Sequence, residues 1–187
     1  MKLLSKITAF FILLSITQVA DAQSVFNKGE NTIQVGFGLG ASFASGSLNI
    51  PPLQVRYERA VTDRLSVGGI LGYSSSTYKY DDYDVNYNTG AMISKKSSID
   101  YSYLLVGLRG NYHFETEESK FDPYLGLTLG YNNVSVGEST YNIEVKSSAA
   151  ILGAQFGSNY YFSERLGAWA EVGYGLGYLN LGITFKF

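Results

Sequence analysis

The sequence predicts an all-β protein: a transmembrane, eight-stranded antiparallel up-and-down barrel (a meander) behind a cleavable signal peptide. Three observations predict it. Apolar and polar residues alternate with a period of two through eight separate stretches, which is the strand period and not the helical one. The connections between these stretches alternate short and long, as in barrels whose two ends face different compartments. Charged residues make up only 16% of the 187-residue chain, against roughly 25% in an ordinary soluble domain, while Gly 21 and Tyr 16 are both high.

At the N-terminus, Lys2 and Lys6 precede an apolar run over residues 7–16 and then Ala20-Asp21-Ala22. A positive start, a short apolar stretch and a small-x-small exit form the layout of a secretory signal peptide. The run is short of the roughly 20 residues that a membrane helix needs. Cleavage is expected after Ala22, which divides the chain into a signal peptide over 1–22, a short periplasmic lead over 23–30 and a barrel domain over 31–187.

The first strand is expected over residues 31–41, with Ile33, Val35, Phe37 and Leu39 on one face. The second covers 52–59, where Leu53, Val55 and Tyr57 oppose Gln54, Arg56 and Glu58. Thr62-Asp63-Arg64 is a tight turn. The third strand, from Leu65, sets Val67, Leu71 and Tyr73 against Ser66, Gly68, Gly72 and Ser74, and runs into a long polar loop over 75–98. The fourth descends to Phe114, opposing Leu104, Val106, Leu108 and Tyr112 to Tyr103, Gly107, Arg109, Asn111 and His113. After a turn over 115–120, the fifth starts at Pro123, which is admissible as a strand's first residue. A second long loop is expected over 132–146. The sixth strand ends at Phe162 and Ser163-Glu164-Arg165 turns the chain. The seventh alternates Ala168, Ala170, Val172 and Tyr174 with Trp169, Glu171, Gly173 and Gly175, and a very short Gly-containing hairpin leads into the eighth.

Alternation alone does not say which face is wet, since soluble barrels also alternate. The apolar face is Leu, Phe and Tyr throughout, more volume than an eight-stranded interior holds easily. The polar face carries only about one charge per strand, an odd exterior for a soluble protein. Rings gather toward strand ends: Tyr57, Tyr112, Phe114, Tyr160, Phe162, Phe185 and Phe187 at one end, Tyr73, Tyr131 and Tyr174 at the other. That distribution reads as interfacial girdles, so the apolar face is expected to meet lipid. A net charge of −2 without a basic cluster argues against nucleic acid. The absence of Cys removes disulfides, thiol catalysis and a lipoprotein anchor.

The final residues 179–187 alternate strictly and place Leu179, Leu181, Ile183, Phe185 and Phe187 on one face. With the barrel pattern over 31–187, this resembles the small OmpX/OmpA-type barrels of the outer-membrane "porin family" of Gram-negative bacteria. The terminal stretch resembles the assembly signal read by the barrel-assembly machinery. The resemblance implies a monomeric integral outer-membrane protein in contact with outer-membrane lipids and lipopolysaccharide, without a cofactor, whose long loops meet an extracellular ligand that the sequence does not identify. It is specific for location and not for activity.

By parity, Arg56, Glu58, Arg109, His113, Glu171 and Lys186 project into the lumen. They form either a narrow polar pathway for small solutes or a salt-bridged plug, and barrels of this strand number are normally filled by side chains. Arg109 and Glu171 fall at similar heights and are expected to share one network. His113 is the sole histidine. A lipid-modifying enzyme would carry such a residue toward the outer leaflet, whereas His113 lies at the opposite end, with no serine two residues on. In the first long loop, Asp82, Asp84, Asn86 and Asn88 alternate as in a calcium loop, yet Tyr87 and Ile93 stand where Gly and Glu are required. Tyr78, Tyr80, Tyr83 and Tyr87 form either a recognition surface, with Asp82 and Asp84 among them, or part of two strands prolonged above the membrane with tyrosines pairing across them. Gly36-x-Gly38-x-Gly40 and Gly173-x-Gly175-x-Gly177 lack phosphate-loop spacing and read as inward positions that make room for Trp169, Arg109 or the tyrosines opposite.

Overall fold

A computed structural model of the chain describes residues 26–40, 46–85, 92–116, 120–138 and 143–187. The expected signal peptide and the first residues of the lead lie outside them. Eight strands follow in order: β1 Asn31–Leu39, β2 Ser47–Ala60, β3 Leu65–Val85, β4 Met92–His113, β5 Phe121–Glu138, β6 Ile143–Tyr161, β7 Leu166–Tyr174 and β8 Leu179–Lys186. Each pairs antiparallel with its neighbours, and β8 returns to β1, so the sheet is a closed barrel. The closing ladder runs from Thr32 opposite Lys186 to Leu39 opposite Leu179. Asn31 and Phe187 exchange backbone hydrogen bonds of 3.0 and 2.9 Å beyond it.

Apart from the exposed runs at 47–51 and 146–150 and the apolar inward residues Ile70 and Leu105, inward and outward positions follow the alternation of the sequence. Around the wall, the register carries Ile183 to Val35, Val35 to Val55, Val55 to Leu71, Leu71 to Val106 and Val106 to Tyr131. All six are exposed on the outside, between 47% and 54%. A continuous apolar belt on an outer wall is stable only in lipid. At the short-turn end, Tyr57, Tyr112, Phe114, Tyr160, Phe162, Phe185 and Phe187 are exposed as a ring below it.

Two of the short turns are built alike. Thr62 and Ser163 each accept, through the side-chain oxygen, a hydrogen bond from the backbone N–H of the residue three positions on, Leu65 at 2.9 Å and Leu166 at 3.0 Å. Such local side-chain bonds define a turn and hence the register of the strands that leave it.

The far end differs from the sequence reading. The loop expected over 75–98 is largely strand: the β3–β4 ladder continues to Val85 opposite Met92. The loop expected over 132–146 is likewise paired up to Glu138 opposite Ile143. Alternation fades there because the inward residues, such as buried Ser76, Ser97 and Asn132, are as polar as their neighbours, while the Tyr, Thr, Ser and Val residues that favour strands remain. β2 begins at Ser47, earlier than expected, with register shifts between Leu48 and Ile50 and between Ile50 and Leu53. β1 ends at Leu39 and β5 begins at Phe121, so Pro123 lies inside its strand.

The belt gives a direct test of which face meets lipid. Leu127→Arg, at an exposed position facing away from Thr128, is expected to lower the unfolding free energy in lipid vesicles by about 2–4 kcal/mol, read by denaturant titration, whereas Phe187→Lys at the rim costs about 1 kcal/mol or less.

Candidate functional site: the lumen network and the raised sheet

Alternate residues of eight strands bring a set of polar side chains into one small volume. Glu171, on β7, lies at its centre. Arg56 donates to it through both terminal nitrogens at 2.9 Å, Arg109 at 2.7 Å and Tyr124 at 3.0 Å. The Arg56 and Glu171 side chains are 0% and 2% exposed. Such a carboxylate is tolerable in an enclosed interior only when its lone pairs are filled by donors. Arg109 Nε lies 3.5 Å from Glu58 Oε1, and the Arg56 guanidinium stacks over the Trp169 ring at 3.9 Å.

Two hydrogen-bond chains leave this centre toward the short-turn end and meet again. In the first, Arg56 donates to Gln34 at 3.4 Å, Gln34 to Asn159 at 2.8 Å, and Asn159 to Asp122 at 2.9 Å. In the second, Arg109 donates to Asn111 at 3.2 Å and Asn111 to Ser66 at 3.2 Å; Ser66 Oγ lies 3.1 Å from His113 Nε2, and His113 Nδ1 lies 2.7 Å from Asp122. An ionised carboxylate accepts only, so Nδ1 carries a proton, and in the neutral imidazole Nε2 then accepts from Ser66. The chains start at two groups that only donate and converge on one that only accepts.

Space for these side chains comes from glycine. A Cβ on Gly36 or Gly182 would collide with Trp169, one on Gly157 with Tyr124, and one on Gly126 with Asn111 and Arg109. The Gly36 run thus makes room for Trp169 as the sequence suggests, but room for Arg109 comes from β5. Beyond the network, Ile70, Leu105 and Leu176 form a buried apolar cluster with Ile151 against it.

Arg56, Glu58, Arg109, His113 and Glu171 are all buried as expected, and Arg109 and Glu171 touch. Lys186 stays at the rim, where it pairs with Glu30 at 3.3 Å and lies 5.1 Å from the Tyr161 ring. Sequence reasoning passed over Ser66, Asp122, Asn111, Asn159, Gln34 and Tyr124. The serine sought two residues along the chain from His113 comes instead from the neighbouring strand, where Ser66 pairs with Asn111. Phe26, in the short lead before β1, is buried and stacks on His113 at 3.7 Å with an 8° interplanar angle.

At the other end, β3 to β6 form a raised sheet. Tyr78, Tyr80 and Tyr83 sit on paired strands directly opposite Ile99, Ser97 and Ser94, so the two strands extend as expected but none of these three stands directly opposite another tyrosine. They do not share a face either, since 78 and 80 follow the parity of buried Ser74 and Ser76 while 83 follows the other. Tyr87 and the side chains of Asp82 and Asp84 lie outside the described residues. Lys79, Tyr80, Asp81, Lys96, Ser97 and Ser98 line a groove of about 490 Å³ on this hairpin. Leu179, Leu181, Ile183, Phe185 and Phe187 lie on the outward face of the closing strand.

No family model and no curated protein matches the chain. Solved structures do. The N-terminal β-barrel domain of Pseudomonas aeruginosa OprF is similar at 19% identity and a TM-score of 0.56, over 86% of this chain and 98% of that one. The fold is that of the small outer-membrane β-barrels. The P. aeruginosa outer membrane protein OprG gives 14% identity and a TM-score of 0.56, over 89% of this chain and 99% of that one. Ail, the attachment invasion locus protein of Yersinia pestis, gives 14% and 0.51, over 86% and 99%, in a structure with the heparin analogue sucrose octasulfate. By fold and by its lipid-facing belt, this chain is an integral outer-membrane barrel.

The shared carboxylate sets a double-mutant prediction. Glu171→Gln leaves two buried guanidiniums undercompensated and is expected to cost about 3–5 kcal/mol. Adding Arg109→Met should cost about 1–3 kcal/mol less than the sum of the separate losses, measured by denaturant unfolding; additive losses would contradict a shared network.

Proposed function

We propose that this protein is an outer-membrane anchor whose surface role is non-enzymatic: it presents a raised extracellular sheet to a surface partner. The observation that carries the reading is the unequal height of the wall. β3 to β6 are 18–22 residues long, whereas β7, β8 and β1 are 8–9. At about 3.3 Å per residue, a difference of roughly ten residues carries the sheet on the order of 30 Å further along the strands, well beyond what spanning lipid requires.

The raised sheet also ends in an open edge. The β6–β7 ladder begins only at Ala154, so among the described residues the backbone of 147–152 has no ladder partner on the β7 side. On β2, the corresponding edge carries Pro51 and Pro52, which lack the N–H that an added strand needs; β6 has no such guard. An edge of this kind accepts an extended segment from another protein. The complex of the similar Ail barrel with a heparin analogue supports an extracellular binding role for a barrel of this size.

A channel is disfavoured by the lumen itself, which Glu171, its arginines and the Ile70–Leu105–Leu176 cluster fill with buried side chains. A lipid-modifying role at the outer leaflet is disfavoured by the position of His113 at the other end.

The test is retention of bacterial cells on a panel of immobilised serum and matrix proteins. Cells with the wild-type chain are expected to be retained by at least one of them, and a variant whose residues 77–100 are replaced by a tight turn is expected to lose about tenfold or more in apparent affinity while its barrel keeps the heat-sensitive electrophoretic mobility of a folded one. Equal retention of the two, or none by either, would overturn the reading.

A further inference from the structure

The periplasmic mouth holds a second arrangement that the surface role does not use. We propose that Ser66, His113 and Asp122 form a masked serine nucleophile, covered by Phe26, that takes acyl or phosphonyl esters bearing a flat apolar group. Ser66 Oγ lies 3.1 Å from His113 Nε2, and Asp122 Oδ1 lies 2.7 Å from His113 Nδ1. Both distances fall in the range over which a base activates a hydroxyl and a carboxylate orients the base.

The surrounding bonds fix the direction of proton donation. Asn159 donates to the other oxygen of Asp122 at 2.9 Å, which holds the carboxylate in place. Asn111 donates to Ser66 Oγ at 3.2 Å, so the serine's own proton is directed at Nε2. Once an ester carbonyl reaches Oγ, the amide of Asn111 is also the nearest donor for the developing oxyanion. All four side chains are at most 4% exposed, and the imidazole face is occupied by the Phe26 ring, stacked at 3.7 Å.

That cover is held by a short segment and not by a strand. Lys28 N donates to Asp63 at 2.9 Å and Gly29 N to Ala60 O at 2.9 Å, and Glu30 pairs with Lys186. Release of this segment, with these contacts and its others such as Ala60 N–H to Glu30 O at 2.9 Å, withdraws Phe26 and leaves a slot for a flat apolar substituent against His113. Ser66 Oγ then bonds to the ester carbon while its proton passes to His113 Nε2; the bond to the leaving alkoxide breaks, and His113 returns the proton to it. Water attacks the acyl-serine by the same route and regenerates Ser66. With a fluorophosphonate, the P–O bond forms, fluoride leaves, and the proton goes from His113 to solvent.

The test uses the full mature chain, refolded in detergent, with an aryl fluorophosphonate probe and mass-spectrometric mapping. Phe26→Ala is expected to be labelled at Ser66 about tenfold or more faster than wild type. Adding Ser66→Ala should abolish the label, and adding His113→Gln or Asp122→Asn should slow it by about tenfold or more. Labelling of Phe26→Ala no faster than wild type, labelling at another residue, or indifference to His113→Gln would overturn the proposal. Unsubstituted protein supplies the same readout where Phe26→Ala does not refold: slow labelling at Ser66 in step with amide exchange at Lys28 and Gly29 supports it, and no label after those amides have fully exchanged overturns it.

Discussion

The carboxylate of Glu171 is the point on which the interior depends. It takes hydrogen bonds from Arg56, Arg109 and Tyr124, side chains from three further strands, so one acid ties β2, β4, β5 and β7 together across the lumen. An eight-stranded wall encloses little space, and charges placed in it must be neutralised at close range. Glycines at 36, 126, 157 and 182 follow from that constraint, because the side chains they face need the volume.

The same constraint explains which parts of the structure were legible from sequence. The wall was readable because lipid on one side and a crowded lumen on the other impose a two-residue period that parity recovers, including the inward aim of Arg56, Glu58, Arg109, His113 and Glu171. The upper parts of β3 to β6 were not, since their inward residues, Ser76, Ser97 and Asn132 among them, are polar like their neighbours and no hydropathy period survives. Ser66 and His113 meet through inter-strand register, which depends on turn geometry at Thr62 and leaves no mark in spacing along the chain. Asp122 went unseen because it precedes Pro123, which reads as the start of a strand, and Phe26 because its segment does not alternate.

The two ends of the barrel are therefore built on different physics. The long-strand end is a tall sheet of β3 to β6. The short-turn end is compact, with two turns capped by their own hydroxyls and a lumen mouth closed by an aromatic ring. Between them, the polar network and the Ile70–Leu105–Leu176 cluster fill the lumen with buried side chains.

Planar-bilayer recording of the purified, refolded protein tests this central claim most directly. The filled lumen predicts no unitary current steps above those of the bare bilayer. Reproducible steps whose size changes on Glu171→Gln would contradict it, because ions would then be passing through the network that is described as closing the barrel.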